Sequence, residues 1–311
     1  MATNSCQSLC NDDIRRLAAS LGFDACGFAR ADDVDDTACD AYDRWIAARR
    51  HGELAYMEKY GDIRRSPALL LDGAKTVISL AMNYFPAVRR SPELPQFAYY
   101  AYGDDYHEVI RSRLRQIADF ITQRTGAACR PCVDTAPIRE RYWAQRAGIG
   151  FVGTNNQLII PRRGSFFFLA EIVTTYSFAP DEPCTATCGD CRRCVEACPA
   201  GAISPGEGVD CRRCLSALTI EHRGALPPDV RLCGHVYGCD VCQIVCPHNR
   251  APQPTTVPEF APSEFILNAT VDDIASLTPD EFRRLFRHSA VRRAKLEGLV
   301  RNAEAIRALM S

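Results

Sequence analysis

The sequence predicts an α+β fold in three parts, namely a long N-terminal domain, a cysteine-rich module and a short helical tail. Of the 311 residues, 17 are cysteine, and eleven of these fall between Cys184 and Cys246. Before this cluster, helical and strand-like apolar patterns alternate. After Pro247 no cysteine occurs and the pattern is largely helical. The predicted domain boundaries are therefore 1–180, 181–251 and 252–311.

Apolar periodicity and end signals define the predicted elements. Gly22 and Gly126 each follow a helical pattern, and glycine commonly ends a helix. The segment 76–84 is rich in apolar and β-favouring residues, which is typical of a buried strand. The predicted elements in chain order are a helix at 12–21, a strand at 76–84, a helix at 107–125, a hairpin of 157–160 with 166–176, and a largely helical stretch at 278–310.

Charge and apolar patterning exclude several classes of protein. With 37 basic and 38 acidic residues the net charge is −1, so the chain is no general polyanion binder. The apolar runs are too short to cross a bilayer, and the N-terminus lacks the apolar core of a signal peptide. We therefore expect no membrane association and a location in the reducing cytoplasm. There, a dense cysteine cluster binds metal more often than it forms disulfides.

Four cysteines of the module have the spacing C-x2-C-x2-C-x3-C and are followed directly by a proline. They are Cys188, Cys191, Cys194 and Cys198, and the proline is Pro199. This spacing is the bacterial ferredoxin pattern, in which the fourth cysteine binds a second cluster. Three thiolates at three-residue intervals can reach the corners of one 4Fe–4S cubane, whereas the fourth lies about one helical turn further on and points away.

A second run, C-x2-C-x3-C, consists of Cys239, Cys242 and Cys246 and again precedes a proline. Two 4Fe–4S clusters need eight thiolates, and the two runs supply seven. The eighth is Cys214 or Cys211, which share one Cys-Arg-Arg-Cys segment, and Cys214 is our first choice. One predicted cluster then has Cys188, Cys191, Cys194 and Cys246, and the other has Cys198, Cys214, Cys239 and Cys242.

A single zinc site is the alternative for these cysteines, with two ligands from each run. Such a site leaves both C-x3-C-P endings unexplained. Six further cysteines are scattered upstream of the module, and we expect them to be small buried or surface thiols. The zinc alternative uses Cys188, Cys191, Cys239 and Cys242, and the scattered cysteines are Cys6, Cys10, Cys26, Cys39, Cys129 and Cys132.

Iron–sulfur clusters transfer electrons, and the roughly 180 residues before the module exceed what a bare ferredoxin needs. The N-terminal region has no G-x-G-x-x-G after a strand and no phosphate-binding loop. A Rossmann domain for nicotinamide or flavin is therefore not indicated. We expect the N-terminal domain to hold another group that receives the electrons.

The segment Val133-Asp134-Thr135-Ala136-Pro137 matches the V-D-[ST]-[AG]-P motif of epoxyqueuosine reductases, and the sequence resembles that family from about residue 10 to residue 305. The ferredoxin spacing together with this motif is a specific combination. Further matches are Tyr100-Ala-x-Gly-x-Asp-Tyr-His107, Arg146-Ala-Gly-Ile-Gly-Phe151, Gly164-Ser-Phe-Phe-Phe-Leu-Ala-Glu171, Cys214-Leu-Ser-Ala-Leu-Thr-Ile-Glu221, Gly238-Cys-Asp-x-Cys-Gln243 and Ser289-Ala-Val-Arg-Arg-Ala-Lys295.

The resemblance implies an enzyme that reduces the epoxide of epoxyqueuosine to queuosine in the anticodon loop of tRNA, the final step of queuosine biosynthesis. It implies cobalamin and two 4Fe–4S clusters as cofactors, with a cobalamin-binding N-terminal domain and a two-cluster ferredoxin-like module. Among the cluster ligands it selects Cys214 over Cys211. The expected partners are tRNA carrying epoxyqueuosine and a low-potential electron donor, and we expect a monomer.

The family's catalytic acid falls on Asp134, where the alternative is an ordinary turn residue before Thr135 and Pro137. A positioned acid lowers the barrier to loss of the epoxide oxygen by roughly 10²–10⁴-fold. To hold its proton near neutral pH, Asp134 needs a raised pKa, and burial against the cofactor supplies one. The sequence departs from the family at Thr154, where lysine is usual, and at Tyr99, where arginine is usual.

The resemblance also suggests contacts for the cofactor and the tRNA. The hairpin region from Asn155 to Ile172 aligns with the family's cobalamin pocket, and ordinary core packing is the alternative for its apolar residues. His222 and Arg223 follow the Cys214 segment where tRNA is expected, with a solvated loop as the alternative. The predicted cobalamin contacts are Met57, Phe97, Asp134, Leu158, Leu169, Ile172 and Ser216.

Two other functions stay open at this point. A corrinoid iron–sulfur reductase of another small substrate would resemble a reductive dehalogenase, but those enzymes usually have a twin-arginine export signal and a tyrosine acid. An electron-transfer iron–sulfur protein without chemistry of its own would bind no corrin. Its Asp134 would then affect nothing beyond stability.

Overall fold

The computed structural model describes residues 9–309, so Cys6 and Met310 of the predictions above lie outside the described residues. Within this range, no helix is long and apolar enough to cross a membrane.

The N-terminal region is built on an antiparallel four-stranded sheet in the order β1-β2-β7-β4. The helices and the strand predicted from periodicity at 12–21, 107–125 and 76–84 are confirmed, with ends that differ by one residue. The elements are α1 (Asn11–Ser20), β1 (Ala25–Arg30), α2 (Asp36–Ala47), β2 (Thr76–Asn83), β3 (Gln96–Phe97), α3 (Tyr106–Thr125), β4 (Cys129–Cys132), α4 (Glu140–Arg146), β5 (Phe151–Val152), β6 (Leu158–Ile159) and β7 (Phe167–Thr174).

The predicted hairpin of 157–160 with 166–176 is wrong. β6 pairs with β5, while β7 pairs with β2 on one side and β4 on the other. The physical reason is that β7 is largely buried, so it takes a central place in the sheet and both of its edges are occupied. Between β6 and β7, only an isolated bridge from Ile160 to Gly164 remains of the expected pairing.

Side chains of β7 alternate between two cores. Ala170 and Ile172 pack on the face that is covered by α1 and α3. Leu169 and Val173 lie on the opposite face, against α4 and β6. A β-carbon on Gly27 would lie 2.0 Å from the Ala147 carbonyl oxygen, so glycine is required where the end of α4 crosses β1. The sheet is therefore covered on both sides, with α1 and α3 on one face and α4 and β6 on the other.

The cysteine-rich module has short elements joined by tight turns. They are α5 (Arg193–Glu196), β8 (Ile203–Ser204), β9 (Gly208–Val209), α6 (Leu215–Ile220), β10 (His235–Tyr237) and α7 (Val241–Ile244). β10 pairs in parallel with β3, so a strand of the N-terminal region belongs to the same small sheet as the module.

The tail packs on the module and is largely helical, as predicted. It consists of α8 (Glu264–Asn268), α9 (Val271–Ala275), α10 (Pro279–Leu285), a 3₁₀ turn (Ala290–Ala294) and α11 (Lys295–Arg307). One hydrophobic core contains Phe97 and Tyr102, Leu218 and Tyr237 of the module, and Leu299 of the tail. The three predicted parts therefore share buried surface, and their boundaries stay a prediction.

Candidate active site and cluster centres

Four cysteines line one cavity of about 60 Å³. They are Cys188, Cys191 and Cys194 from the first run and Cys246 from the second, the set predicted from crossed spacing. Burial raises the pKa of the Cys246 thiol, and the neighbouring thiolates of Cys188 and Cys191 raise it further. Four thiols around one cavity suit a cubane, in which iron replaces the thiol protons.

The remaining predicted ligands form a second group. Burial raises the pKa of Cys242 well above its ordinary value, and the adjacent thiolates of Cys239 and Cys214 add to the rise. Burial likewise raises the pKa of Cys239 to about 12, with Cys214 and Cys198 among its charged neighbours. The backbone N–H of Ala202 donates to the Cys198 thiol over 3.3 Å. These four thiols are mutual neighbours, as a second cluster requires.

The zinc alternative combines two pairs of cysteines that fall in different groups in the structure. That alternative takes Cys188 with Cys191 from one group and Cys239 with Cys242 from the other. Within residues 9–309, no group of three or more His, Cys, Asp or Glu side chains is arranged for a single metal ion. Cys211 lies next to Cys214, but it is Cys214 whose charge acts on Cys239 and Cys242.

The segment between β5 and β6 lies against the first cysteine group. The backbone N–H of Thr154 donates to the Cys188 thiol over 3.4 Å, and the Asn155 side chain donates to the Cys242 carbonyl over 3.2 Å. Asn155 and Ile159 line the cavity itself. The sequence analysis assigned this region to cobalamin and missed its contacts with the cysteine runs.

Asp134 lies in the loop between β4 and α4 with a φ of 50°. Its Oδ2 accepts a hydrogen bond from the Tyr106 hydroxyl over 2.9 Å and lies 3.2 Å from Nε2 of His107. The backbone N–H of Asp134 donates to Glu140 at the start of α4 over 2.6 Å. The side chain of Asp134 is 58% exposed, so a carboxylate that is held on two sides still faces open space.

The pKa of Asp134 departs from the sequence-based expectation. Partial desolvation raises it, but the hydrogen bonds from His107 and Tyr106 outweigh that effect, so the pKa is lowered. The predicted rise in the pKa of Asp134 is therefore wrong for this arrangement. Burial lowers the pKa of His107, yet the carboxylates of Asp105 and Asp134 raise it to about 9. The proton that the pair shares at neutral pH thus resides on the imidazole.

Two further carboxyl groups lie behind the loop. Burial raises the pKa of Glu140 to about 8, and the nearby Asp134 charge adds to the rise. Glu171 is fully buried on β7, opposite Ser79 of β2, and burial followed by the Glu140 charge raises its pKa well above the ordinary value. Both carboxyls therefore hold protons at pH values where surface carboxyls are ionised.

The open side of Asp134 is bordered by Tyr56, whose ring is 46% exposed and lies 5.8 Å from the Arg293 guanidinium of the tail. Desolvation raises the pKa of Tyr56 to about 12, and the charges of Glu221 and Asp134 contribute. Cys211 is another of its charged neighbours. Tyr56 is therefore within electrostatic range of both Asp134 and the Cys-Arg-Arg-Cys segment that carries Cys214.

The predicted cobalamin contacts divide between this surface and the core. Met57 follows Tyr56 in the same 3₁₀ turn (Ala55–Met57), and the backbone N–H of Ser216 faces the Cys214 thiol. Leu158 and Leu169 pack together against α4. Ile172 is fully buried under α1 and α3, and Phe97 is 2% exposed, so both side chains pack in the core. A role of these residues in cobalamin binding stays a prediction.

The two predicted tRNA contacts, His222 and Arg223, form hydrogen bonds within the chain. His222 pairs with Glu53 and contacts the Ala225 carbonyl over 2.7 Å. Arg223 donates to the carbonyls of Ile220 and Arg293 over 2.9 Å each. These contacts join the module to the tail, and a role in tRNA binding stays a prediction.

Sequence reasoning missed three residues of the site, namely Tyr106, His107 and Glu140. The first two were visible only as part of a longer family motif. The sequence feature that could have revealed them is Asp105, a helix-capping residue that is followed directly by two ring side chains able to form hydrogen bonds. Glu140 had no signal, because its partner is a backbone amide.

Two family models match the chain. One, described as epoxyqueuosine reductase QueG, DUF1730, matches residues 64–135, and a 4Fe-4S double cluster binding domain matches residues 187–249. The second match confirms the prediction of two 4Fe–4S clusters. Among curated proteins, an epoxyqueuosine reductase of Leadbetterella byssophila is 41% identical over 293 residues, covering 93% of this chain and 96% of that protein. One of Escherichia coli is 37% identical over 289 residues, covering 90% and 76%.

Solved structures of epoxyqueuosine reductases share this fold. One, bound to an epoxyqueuosine-modified tRNA-Tyr stem loop, has a TM-score of 0.84 and 31% identity, and covers 96% of this chain and 80% of that one. Another, from Bacillus subtilis, has its catalytic loop swung out of the active site. It has a TM-score of 0.85 with the same identity and coverage.

Proposed function

The chain belongs to the epoxyqueuosine reductase family, and on that premise we propose that it reduces the epoxide of epoxyqueuosine to the cyclopentene of queuosine in tRNA. The observation that carries this proposal is the exposed carboxylate of Asp134, whose charge acts on the same Tyr56 ring as that of Cys211 in the Cys-Arg-Arg-Cys segment of Cys214. A proton donor and an electron-transfer module thus meet at one open surface. The reaction breaks both C–O bonds of the epoxide, takes up two electrons and two protons, and releases water.

The module binds two 4Fe–4S clusters, which deliver the electrons singly. We assign Cys188, Cys191, Cys194 and Cys246 to the cluster beside the Thr154 segment. Cys198, Cys214, Cys239 and Cys242 are assigned to the cluster beside Tyr56 and Asp134. With this assignment, the second cluster is the one that delivers electrons to the surface beside Asp134.

Cobalamin is part of the proposal, and the surface beside Asp134 fits it. This surface is open, is bordered by the exposed ring of Tyr56, and adjoins the segment of Cys214. Tyr56, Met57 and Ser216 are the residues that would hold the group there. When bound, its cobalt supplies a reduced state that accumulates two electrons next to the substrate.

Asp134 donates a proton to the departing oxygen, which would otherwise leave with a negative charge. Tyr106 fixes the orientation of the carboxyl group through the hydrogen bond to Oδ2. Glu140 fixes the loop through the Asp134 amide. The positive φ of Asp134 is a strained conformation for a non-glycine residue, and these two contacts hold it in place.

The proposed substrate is tRNA that carries epoxyqueuosine. Because the net charge is −1, binding depends on basic side chains near the site, including Arg141 and Arg293, whose charges act on Asp134. We expect affinity to fall with rising salt concentration. We further propose a low-potential one-electron donor, a monomeric enzyme and a cytoplasmic location. Sedimentation of the reconstituted protein measures whether it is a monomer.

Anaerobic reconstitution tests the function. The protein is loaded with iron, sulfide and cobalamin and supplied with epoxyqueuosine-containing tRNA and a strong reductant, and the nucleosides are analysed by mass spectrometry. Queuosine should appear, and Asp134→Asn should lose about 10²-fold or more of the rate while retaining its iron and corrin. Corrin binding without queuosine would favour a small substrate, and no corrin binding would favour a simple electron-transfer protein.

A further inference from the structure

His107 stands between two carboxylates. Its Nδ1 lies 2.6 Å from Oδ1 of Asp105, and its Nε2 lies 3.2 Å from Oδ2 of Asp134. An ionised carboxylate only accepts hydrogen bonds, so both contacts are hydrogen bonds only when both ring nitrogens carry a proton. The geometry therefore selects the imidazolium form of His107. Its side chain is 24% exposed, so the ring keeps limited contact with solvent.

The proposed reaction needs protons that Asp134 does not hold at rest, because its pKa is lowered and the shared proton resides on His107. Loss of the epoxide oxygen as water consumes two protons, and an ionised carboxylate supplies none. Asp134 must therefore be protonated before each transfer to the departing oxygen. A proton store within hydrogen-bonding distance of Asp134 would meet this need.

The other neighbours of Asp134 are unsuited to this task. Tyr106 donates to the same Oδ2, but burial and then the Asp134 charge raise its pKa far above the ordinary value, so it does not release its proton. Glu140 contacts the backbone amide of Asp134 over 2.6 Å rather than its carboxylate. Of these three contacts, only that of His107 joins an ionisable N–H to the carboxylate oxygen.

We propose that His107 is the proton store of the active site and passes the proton on Nε2 to Oδ2 of Asp134 for each of the two protons consumed in a turnover, an inference that rests on the proposed function. The proton on Nδ1 stays in its hydrogen bond to Asp105, which holds the ring in position. The neutral imidazole then takes up a proton from solvent at its exposed edge. No oxidant or reductant takes part in this step, and the electrons still come through the clusters.

The charged surroundings support an imidazolium at this position. Tyr106 stacks on the ring of His107, with the ring centroids 4.1 Å apart. The carboxylates that flank the ring outweigh desolvation and raise the pKa of His107 to about 9. The charged and titratable groups around the pair are Asp105 and Tyr106 of the α3 start, Asp134 of the loop, Glu140 and Arg141 of α4, Tyr56, and Arg292 and Arg293 of the tail.

A titration tests the pair without reference to activity. In protein labelled with ¹⁵N-histidine, NMR follows the ring nitrogens of His107 from pH 6 to pH 10. We expect a pKa near 9 in the wild type and a clear decrease in Asp134→Asn and in Asp105→Asn. A wild-type pKa near 6.5 overturns the proposal, whether or not the protein reduces epoxyqueuosine.

Kinetics of the reconstituted enzyme test the transfer. His107→Gln should lower kcat at least tenfold with KM changed less than twofold, and the fall in kcat above about pH 9 should disappear. Imidazole in solution should restore part of the rate of His107→Gly, because it can occupy the gap and carry the proton. Tyr106→Phe is the matched control, because it removes a hydrogen bond to the same oxygen and should gain nothing from imidazole.

The outcomes separate this proposal from the function on which it rests. If the wild type makes queuosine and His107→Gln keeps its kcat and pH profile, the proton store is refuted and the function stands. If the wild type makes no queuosine, the proposed function fails, while the NMR titration still decides whether the pair holds a proton. Equal rescue of Tyr106→Phe and His107→Gly by imidazole also refutes the proposal.

Discussion

The backbone N–H of Thr154 donates to the thiol of Cys188 over 3.4 Å. Thr154 belongs to the N-terminal region, and Cys188 is the first cysteine of the ferredoxin spacing. Hydrogen bonds to cluster sulfur are among the factors that set a cluster's reduction potential. We therefore expect the N-terminal region to influence the reduction potential of the cluster assigned to Cys188.

The grouping of the thiols predicts the result of single cysteine substitutions. Cys246→Ser should remove the fourth ligand of the first cluster and leave about four iron atoms per chain instead of about eight. Cys211→Ser is the matched control, because Cys211 lies beside Cys214 but is not assigned as a ligand, and it should keep about eight. Iron and acid-labile sulfide analysis after anaerobic reconstitution provides the measurement. Loss of iron in Cys211→Ser would show that the eighth ligand is misassigned.

The contact of Gly164 with the module predicts a large loss of stability on substitution. Gly164 has a φ of 93°, and a β-carbon there would lie 1.8 Å from Oδ1 of Asn249. Asn249 accepts a hydrogen bond from the Ser165 amide over 2.9 Å and donates to the Gln243 carbonyl over 2.7 Å. Gly164→Ala must disturb this network, so we expect the free energy of unfolding to fall by roughly 2–4 kcal/mol.

Gly126→Ala is the control for the backbone part of that effect. Gly126 has a φ of 74° at the end of α3, and a β-carbon there would meet no atom within 4 Å. Its substitution should cost only about 1 kcal/mol. Denaturant unfolding of both variants measures the difference. If the two variants lose the same stability, the contact between Gly164 and Asn249 contributes nothing.

The cysteine groups could be predicted from the sequence, because a cubane limits the spacing of the thiolates that bind it. The crossed assignment of Cys246 to the first run follows from that spacing and agrees with the cavity that these thiols line. Asp134 could be predicted only through the family motif, since an aspartate before threonine and proline is an ordinary turn. Local chemistry therefore identified the metal centres but not the acid.

The rest of the site depends on packing that no local pattern reveals. His107 meets Asp134 across 27 residues, because the start of α3 lies beside the loop that follows β4. The hairpin prediction failed for a similar reason. The apolar pattern of β7 indicated a buried strand but could not indicate that β2 and β4 would occupy its two edges.

The raised pKa values of His107 and Glu140 predict that stability falls as the pH rises. Both groups bind protons more tightly in the folded state, with pKa values of about 9 and about 8 against ordinary values of 6.5 and 4.5. The contribution of Glu140 is complete below pH 4.5 and is lost as the pH rises through 8. That of His107 is complete below pH 6.5 and is lost as the pH rises through 9.

For His107 the loss amounts to about 3 kcal/mol. Denaturant unfolding at pH 6, 7.5 and 9 should therefore show a steady decrease in the free energy of unfolding. In His107→Gln the decrease between pH 7.5 and pH 9 should be smaller, because only Glu140 of the two groups still titrates there. A wild type that is more stable at pH 9 than at pH 6 would contradict the assignment of these protons.

Substitution of Glu171 tests whether the carboxyl group in the centre of the sheet is ionised or neutral. It is fully buried on β7, and burial raises its pKa well above the ordinary value. Within the described residues, neither carboxylate oxygen has a hydrogen-bond partner. An ionised carboxylate in that position would be strongly destabilising, so the group is neutral at pH 7.

Replacing Glu171 by glutamine should then change the free energy of unfolding at pH 7 by less than about 1 kcal/mol, because the shape is kept and no charge is lost. Glu171→Ala is the contrasting variant. It leaves a void between β7 and α4 and should cost roughly 2–4 kcal/mol. Denaturant unfolding of both variants at pH 7 measures the difference. A loss in Glu171→Gln as large as that in Glu171→Ala would mean that the folded protein needs the carboxylate charge, and that the buried group is ionised.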